Sequence, residues 1–209
     1  TVNAFDYQYL PDNGLKVEHL TMMSSINQED SGFGSRTAVS YRPSKEIRYG
    51  AEVYYFDENL NINDMGYLWR NDLLSYGVSV NYTRTDFPED SKINNRIYNF
   101  DIWDQNNSDH DNLNEFYTLF FMQSFKSTAT LHVNIFAKAE GRDDEITRGS
   151  LIAPFIKTGS GANYEVDYRS PTYGAWNYNL GLQSEMDDFY AFKNHHKKIS
   201  GGITYTPKD

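Results

Sequence analysis

Apolar and polar residues alternate along most of the chain with a period of two. Between Leu74 and Tyr82 every second residue is apolar, and the residues between them are serine, glycine or asparagine. The same alternation occurs over residues 131–139, 162–169 and 176–183. Successive side chains of a β-strand point to opposite faces, so this spacing predicts strands with one apolar face. No stretch has a clear 3.6-residue spacing, and the chain is therefore predicted to be all-β.

Less regular segments bring the predicted total to about twelve strands. These segments are residues 2–10, 15–25, 36–42, 46–56, 95–103, 115–125, 150–157 and 197–206. Turn sequences such as PDNG (11–14) separate them, and longer polar segments are expected as loops at 26–35, 57–71, 86–94, 104–114, 141–149 and 187–196. Short and long connections thus alternate, which is typical of outer-membrane barrels. We therefore predict an antiparallel meander that closes as a transmembrane β-barrel, with residues 1–209 forming one domain or part of a larger barrel.

The composition of the two strand faces favours this barrel. The polar face carries mainly Asn, Ser, Gly, Gln and Thr, whereas a soluble sheet would expose many Lys and Glu residues. Aromatic residues near the strand ends are typical of the girdles at membrane interfaces: Tyr41, Tyr49, Tyr55, Tyr82, Trp103, Tyr168 and Trp176. The alternative is a soluble antiparallel sandwich or curved sheet whose aromatic side chains form a core.

Charge and composition exclude several classes of protein. A formal net charge of -10 without a basic stripe argues against nucleic acid as a partner. The 17 Tyr and 13 Phe residues argue against disorder. The absence of cysteine excludes disulfides, thiolate metal sites and a cysteine nucleophile, and it fits a protein of the bacterial cell envelope. No apolar run approaches the roughly 18 residues that a membrane helix requires.

The segment NINDMGYLWRNDL (61–73) interrupts the alternation. Its Asn and Asp residues and Gly66 predict two turns around GYLW, because these residue types tolerate turn conformations. Arg70 is expected to pair with Asp64 or Asp72, and Trp69 offers a stacking surface for a ligand. These four residues are the candidate ligand-binding set. The alternative is an ordered connection with a buried aromatic plug.

The segment DQNNSDHDNLNE (104–115) has the spacing of a calcium loop. Oxygen donors occupy positions 1, 3, 5, 9 and 12, and the carbonyl of His110 occupies position 7. The donors are Asp104, Asn106, Ser108, Asn112 and Glu115. However, position 6 is Asp109 rather than glycine, and no helices are predicted on either side. A loosely bound Ca²⁺ is thus the one cofactor suggested, and the alternative is a solvated acidic hairpin loop.

No catalytic constellation is evident. His195 and His196 are adjacent, so on a strand they would point to opposite faces and could not chelate one ion together. The sequence has no GxSxG elbow, and GFGSRT (32–37) lacks the lysine of a phosphate-binding loop. We therefore expect a non-enzymatic protein.

Residues 54–82, YYFDENLNINDMGYLWRNDLLSYGVSVNY, resemble the pattern YFD…DINDLGFL.RNDL in the C-terminal barrel of the DUF5916 family. Other elements of that family match in order, including SGFGSRTAVSYRPSKEIRYGAEVYYF (31–56), RIYNFDIWDQNNSD (96–109), DDEITRGSLIAPF (143–155) and NHHKKISGGITYTPKD (194–209). The resemblance spans roughly residues 30–206. It implies an envelope protein whose N-terminal region is similar to a family 9 carbohydrate-binding module. One departure is Arg148-Gly149-Ser150-Leu151 where the family has an RGGP form. The chain also ends in TPKD rather than in a terminal aromatic residue, so we expect it to be a fragment of a longer polypeptide.

These observations predict a non-catalytic barrel in the Gram-negative outer membrane that acts as an anchor or conduit. Its expected partners are outer-membrane lipid and, in addition, oligosaccharide or other envelope proteins. The interior would carry Glu52, Arg70, Glu165, Asp167 and Arg169. Two alternatives remain open. One is a soluble or surface carbohydrate-binding domain that uses Trp69, Trp103 or Trp176, and the other is the barrel part of a glycoside hydrolase-like protein.

Overall fold

The computed structural model describes residues 1–26, 30–62, 68, 70–144, 155–189 and 192–207. These residues form thirteen strands. Their bounds are β1 Val2–Tyr9, β2 Leu15–Ile26, β3 Asp30–Tyr41, β4 Ile47–Phe56, β5 Leu73–Arg84, β6 Ile93–Asn106, β7 Asn112–Phe125, β8 Thr130–Lys138, β9 Gly141–Asp143, β10 Ile156–Thr158, β11 Gly161–Arg169, β12 Trp176–Phe189 and β13 Phe192–Tyr205.

Eleven of the strands form one antiparallel sheet in the order β1 to β8, then β11, β12 and β13. The short strands β9 and β10 pair with each other in the connection between β8 and β11. The predicted all-β antiparallel meander is therefore confirmed. Among the residues that the structure describes, no helix is both long and apolar enough to cross a membrane.

The predicted strands agree with the observed ones except near one end of the sheet. Residues 26–35 and 187–196 were expected to be loops, but β2, β3, β12 and β13 extend through most of them. Asp104 to Asn106 and Asn112 to Asn114 also belong to strands, which leaves only 107–111 as a connection. The strand expected at 150–157 lies mostly outside the described residues, and β10 begins at Ile156.

Because every connection in the sheet joins antiparallel neighbours, the connections lie alternately at two ends. We call the end that carries residues 57–72 and 139–160 the loop end, and the opposite end the turn end. At the loop end, however, strand pairing continues to Ile26 and Asp30 between β2 and β3, and to Phe189 and Phe192 between β12 and β13. The predicted alternation of short and long connections is therefore only partly correct.

The predicted closure into a barrel is not observed among the described residues. Strand β1 pairs with β2 alone, and β13 pairs with β12 alone, so the sheet has two free edges. Both edge strands start at the loop end and finish at the turn end. They consequently run in the same direction.

The register aligns the alternating apolar positions of the eleven strands on one face, although some further aromatic and aliphatic residues, such as Phe56 and Leu73, lie on the other. One line of directly opposed residues illustrates this continuity: Val39, Ala51, Val78, Ile102, Tyr117, Ala137, Ala162. Many side chains of this apolar face are exposed, and Val78 is 55% accessible. The opposite, polar face carries residues such as Ser79, Asp101 and Asn134.

Aromatic side chains on the apolar face concentrate toward its two ends. Near the turn end lie Tyr9, Tyr41, Tyr49, Tyr82, Tyr98, Tyr168, Trp176, Tyr178 and Tyr205. In the half of their strands that is nearer the loop end lie Phe5, Phe33, Tyr55, Tyr76, Tyr117 and Tyr164. Several rings are in contact across strands, and the centroids of Trp176 and Tyr205 are 4.5 Å apart.

Trp103, which was expected in such a girdle, lies instead on the polar face. Its neighbours Ile102 and Asp104 occupy the apolar side of β6, so alternation directs the indole to the other side. The ring lies over Gly77 of β5, where a Cβ atom would overlap the indole. The interplanar angle of Trp103 with Phe116 is 15°, and their centroids are 6.3 Å apart.

A small buried core lies at the loop end on the polar face. It contains Phe56, Leu60, Leu73 and Leu113, with Met22, Tyr54, Ile62 and Leu68 packed against it. Three of these residues, Leu60, Ile62 and Leu68, come from the connection between β4 and β5. The core therefore forms where this connection folds onto the sheet.

Candidate functional site

The candidate site is the cluster of connections at the loop end. It contains the described residues of three segments: the first loop (57–62, 68 and 70–72), the second loop (107–111) and the third loop (139–144 and 155–160, including β9 and β10). The NINDMGYLWRNDL segment belongs largely to the first loop, and the candidate calcium residues surround the second.

The first loop starts by crossing the glycines of β3. Leu60 is 2% exposed and occupies the space that side chains at positions 32 and 34 would fill. A Cβ on Gly34 would lie 2.6 Å from Leu60 Cδ2, and one on Gly32 would overlap the Leu60 backbone. The SGFG sequence (31–34) is thus explained by close approach of the loop rather than by phosphate binding.

Asp57 fixes the start of this loop. The backbone N–H of Phe33 donates to Asp57 Oδ2 at 2.7 Å, and the N–H of Asn59 donates to Asp57 Oδ1 at 3.1 Å. The backbone N–H of Asn61 donates to Ser24 Oγ at 3.0 Å. Both carboxylate oxygens of Asp57 therefore accept hydrogen bonds from the backbone, and the loop is attached to β2 and β3.

Arg70 joins the first loop to the third. Its guanidinium forms an ion pair and hydrogen bond with Asp144, and the arginine is only 7% exposed. The amide Nδ2 of Asn107, in the second loop, donates to the other oxygen of Asp144 at 3.1 Å. A buried carboxylate needs such partners because desolvation penalises its charge. The three residues therefore form one buried polar cluster that connects all three loops.

Asp72 makes a second link between the first two loops. The backbone N–H of Ser108 donates to Asp72 Oδ1 at 2.8 Å. Asp72 has a φ of 55°, a left-handed conformation that aspartate tolerates better than most residues. Its own N–H donates to the carbonyl of Asp57 at 3.2 Å, which closes the base of the first loop.

A further ion pair joins the second and third loops. Arg142 of β9 pairs with Asp111, and its guanidinium lies 4.4 Å from the ring centroid of Phe155. The N–H of Asp111 donates to Asn107 Oδ1 at 2.8 Å, so this pair is connected to the buried cluster.

A cavity of about 400 Å³ lies between the first and second loops. Its polar lining includes Asp57, Glu58, Asn59, Asp72 and His110. Asp57 and Asp72 are already hydrogen-bonded to backbone N–H groups, so they serve to hold the loops together.

The structure brings together only part of the predicted ligand-binding set. Arg70 and Asp72 lie in the same loop, but Arg70 pairs with Asp144 rather than with Asp72. Asp64 and Trp69 lie outside the described residues. The other two tryptophans considered for stacking lie on opposite faces of the sheet, Trp103 on the polar face and Trp176 on the apolar face.

The candidate calcium residues lie on a hairpin rather than along a continuous loop. Asp104 and Asn106 belong to β6, Asn112 and Glu115 belong to β7, and Ser108 lies in the exposed turn. Asp104 and Glu115 are direct cross-strand neighbours. In the described ranges, no group of three or more His, Cys, Asp or Glu side chains is placed to hold a metal ion. Calcium binding stays a prediction.

The interior charges predicted from the sequence lie on the polar face, apart from Arg70. Glu52 pairs with Arg36 across β3 and β4, and Glu165, Asp167 and Arg169 alternate with the apolar residues of β11. Asp144, Asn107 and Arg142 were not identified from the sequence. Nothing in their local spacing indicates that they meet, because the strands between them create the contact.

The comparisons with known proteins identify a family. The model of a family described as a domain of unknown function (DUF5916) matches residues 3–199. No curated protein matches the chain, and no solved structure matches it. The match spans nearly the whole sequence, from β1 into β13, and includes the three loops described above. The chain therefore belongs to the DUF5916 family.

Proposed function

We propose that this chain is the wall of an outer-membrane β-barrel, which anchors an envelope protein or forms a conduit through the membrane. The observation that carries the proposal is the division of the sheet into an apolar and a polar face across all eleven strands. It is a proposal about a non-catalytic role.

The extent of the apolar face supports a lipid environment. Soluble monomers rarely expose contiguous apolar patches larger than a few hundred Å². Here exposed aliphatic side chains occur in the middle of strands across the sheet, among them Val39, Val53, Val78, Val80, Leu119, Ile135, Leu180 and Leu182. Burial in hydrocarbon would remove this surface from water.

The dimensions and the aromatic rows also fit a membrane. A spanning strand needs about 9–11 residues, and ten of the sheet's strands have 9 to 14. Tyrosine and tryptophan rings favour the boundary between apolar and wet surroundings. In the proposed barrel, the aromatic residues toward the turn end and toward the loop end would lie at the two interfaces of the bilayer.

The few polar groups in the middle of the apolar face include His19, which has satisfied hydrogen bonds. Its Nδ1 and Nε2 atoms are each 2.8 Å from a threonine hydroxyl, on Thr37 and Thr21 respectively. A polar group tolerates an apolar environment when its hydrogen bonds are made within the protein.

The polar face would line the interior. Its charges include the Arg36–Glu52 pair and the acidic residues Asp101, Glu165 and Asp167. With a net charge of -10, such an interior would favour cations or neutral sugars over anions. Oligosaccharides and other envelope proteins are the partners that we propose besides lipid.

Extraction and electrophoresis test the membrane role. The protein is expected to require detergent for solubility and to migrate differently on gels before and after heating. A chain that remains monodisperse in water without detergent would contradict the proposal. Conductance across planar bilayers then separates the two roles, because a conduit produces discrete current steps and a plugged anchor does not.

A further inference from the structure

The two edge strands, β1 and β13, are the least protected part of the sheet. Ile199 and Ile203 of β13 are 77% and 76% exposed, about twice the exposure of Ile135 in the interior strand β8, which is 38%. The outer backbone N–H and C=O groups of both edges also lack a strand partner among the described residues. In a hydrocarbon environment, an unpaired backbone N–H or C=O group is strongly unfavourable because no water is present to bond it. The membrane role therefore requires that both edges be paired.

The edges cannot satisfy each other as antiparallel partners. Each of the ten pairings in the sheet is antiparallel, so strand direction reverses at every step. After ten reversals the eleventh strand, β13, runs in the same direction as β1. Direct closure would create a parallel pair, whereas all the other pairs of the sheet are antiparallel.

A second copy of the chain does not solve this problem. The exclusion of a second copy rests on the proposed membrane role. Copies of a protein inserted into one membrane all have the same orientation. Strand β13 of one copy and β1 of another would again be parallel. Antiparallel pairing of β1 with a second β1 would require one copy to be inverted, with its loop end on the opposite side.

We infer that the edges are completed by an odd number of further strands contributed by the same polypeptide outside residues 1–209. The first would pair with β13 and the last with β1. An odd number restores antiparallel pairing at both edges. The source is the same polypeptide because the eleven strands follow one another across the sheet in their order along the chain, with only β9 and β10 set aside in a connection.

The edge residues specify the chemistry of the added strands. Ile199, Ile203 and Tyr205 lie on the apolar face of β13, while Lys198, Ser200 and Thr204 lie on its polar face. Cross-strand partners share a face. A strand beside β13 must therefore place apolar residues opposite Ile199, Ile203 and Tyr205, and polar residues opposite the positions between them.

Photo-crosslinking in the full-length protein in its native membrane tests the inference. Benzoylphenylalanine replaces Tyr7 in β1 or Tyr205 in β13, and both substitutions retain an aromatic ring on the apolar face. The control position is Tyr164 of β11, whose cross-strand neighbours are Ile135 and Ser184. The control should crosslink to peptides of β8 and β12, and heat-modifiable mobility of each variant verifies folding.

The expected result is crosslinking of both edge positions to peptides of the same polypeptide outside residues 1–209, without an increase in molecular mass. Three results would overturn the inference: a crosslink between β1 and β13, a crosslink to another polypeptide chain, or no edge crosslink when the control succeeds. Membrane fractionation of the same samples distinguishes this failure from failure of the membrane role, in which the protein would be recovered in the soluble fraction.

Discussion

Arg70 and Asp144 form a buried ion pair although they are 74 positions apart in the sequence. Removing one partner of such a pair leaves an uncompensated charge in the interior, which costs about 3–5 kcal/mol. We therefore expect Arg70→Ala to reduce the free energy of unfolding by about that amount. Urea titration of the folded protein in detergent or lipid measures this change.

The matched control for this prediction is Arg84→Ala. Arg84 pairs with Glu46 near the turn end, at 3.6 Å, with both side chains about 40% exposed. Exposed pairs contribute about 0–1 kcal/mol. If Arg70→Ala and Arg84→Ala reduced the free energy of unfolding by equally small amounts, the three loops at the loop end would not depend on the buried pair.

Gly32→Ala is expected to displace the first loop. A Cβ at this position would overlap the backbone of Asn59 and Leu60, which cannot move independently of the loop. Overpacking of this kind costs roughly 1–3 kcal/mol. The loop should also become more susceptible to proteolysis. Gly201→Ala is the control, because its Cβ would have only an ordinary contact at 3.7 Å with Asn179 O. Equal protease resistance of both variants would contradict the close approach.

Gly77→Ala is expected to move the Trp103 ring away from β5. The added methyl group would occupy the space of the indole, so the ring would tilt and become more accessible. Acrylamide quenching of Trp103 fluorescence measures this change in a protein with Trp69 and Trp176 replaced by phenylalanine. Ser79→Ala, on the same face of the same strand, should leave the quenching unchanged. Unchanged quenching in Gly77→Ala would mean that the ring does not rest on the glycine.

Val78→Arg and Ser79→Arg test the two faces of one strand. Val78 lies on the apolar face, and an arginine on the lipid face of a barrel costs about 2–4 kcal/mol near the membrane midplane. Ser79 lies on the polar face beside Gly50 and Asp101, where an arginine has space and a neighbouring carboxylate. We expect Val78→Arg alone to reduce insertion into lipid vesicles. In a water-exposed sheet the ranking would be absent or reversed, since an arginine in place of exposed Val78 would be harmless.

The alternation of side chains was sufficient to predict where most strands lie and which face each residue of the regular strands occupies. The faces of Val78 and Ser79 are predicted correctly because side chains alternate along a strand, so the face of one residue determines the faces of its neighbours. The same alternation corrects the prediction that Trp103 belongs to an aromatic girdle, which rests only on its position near a strand end. Its immediate neighbours Ile102 and Asp104 lie on the apolar face, so Trp103 lies on the polar face. Alternation with its neighbours, and not its distance from the strand end, determines the face.

The ends of the strands were harder to predict. Residues 26–35 and 187–196 are polar or irregular, which predicts loops, but backbone pairing continues through much of both segments. Ser24 lies opposite Gly32, for example, although neither residue is apolar. Hydrogen bonds between strands join backbone atoms, so the ladder extends beyond the region in which one face must be apolar.

The loop cluster was predicted least well. Asp64 and Asp72 were the expected partners of Arg70 because they are close to it in sequence. Asp144 is the observed partner because the pairing of β5 to β8 brings the ends of these strands together. Long-range contacts of this kind depend on the completed sheet and leave no local pattern in the sequence.

The order of the strands also has a consequence for folding. Nearly every strand pairs with the next one in sequence, so the sheet can assemble hairpin by hairpin, with only a short segment of chain to close at each step. The Arg70–Asp144 pair is different, because it can form only after four consecutive strands have aligned. It should therefore form late, and its presence would distinguish a correctly registered sheet from one in which a hairpin has slipped.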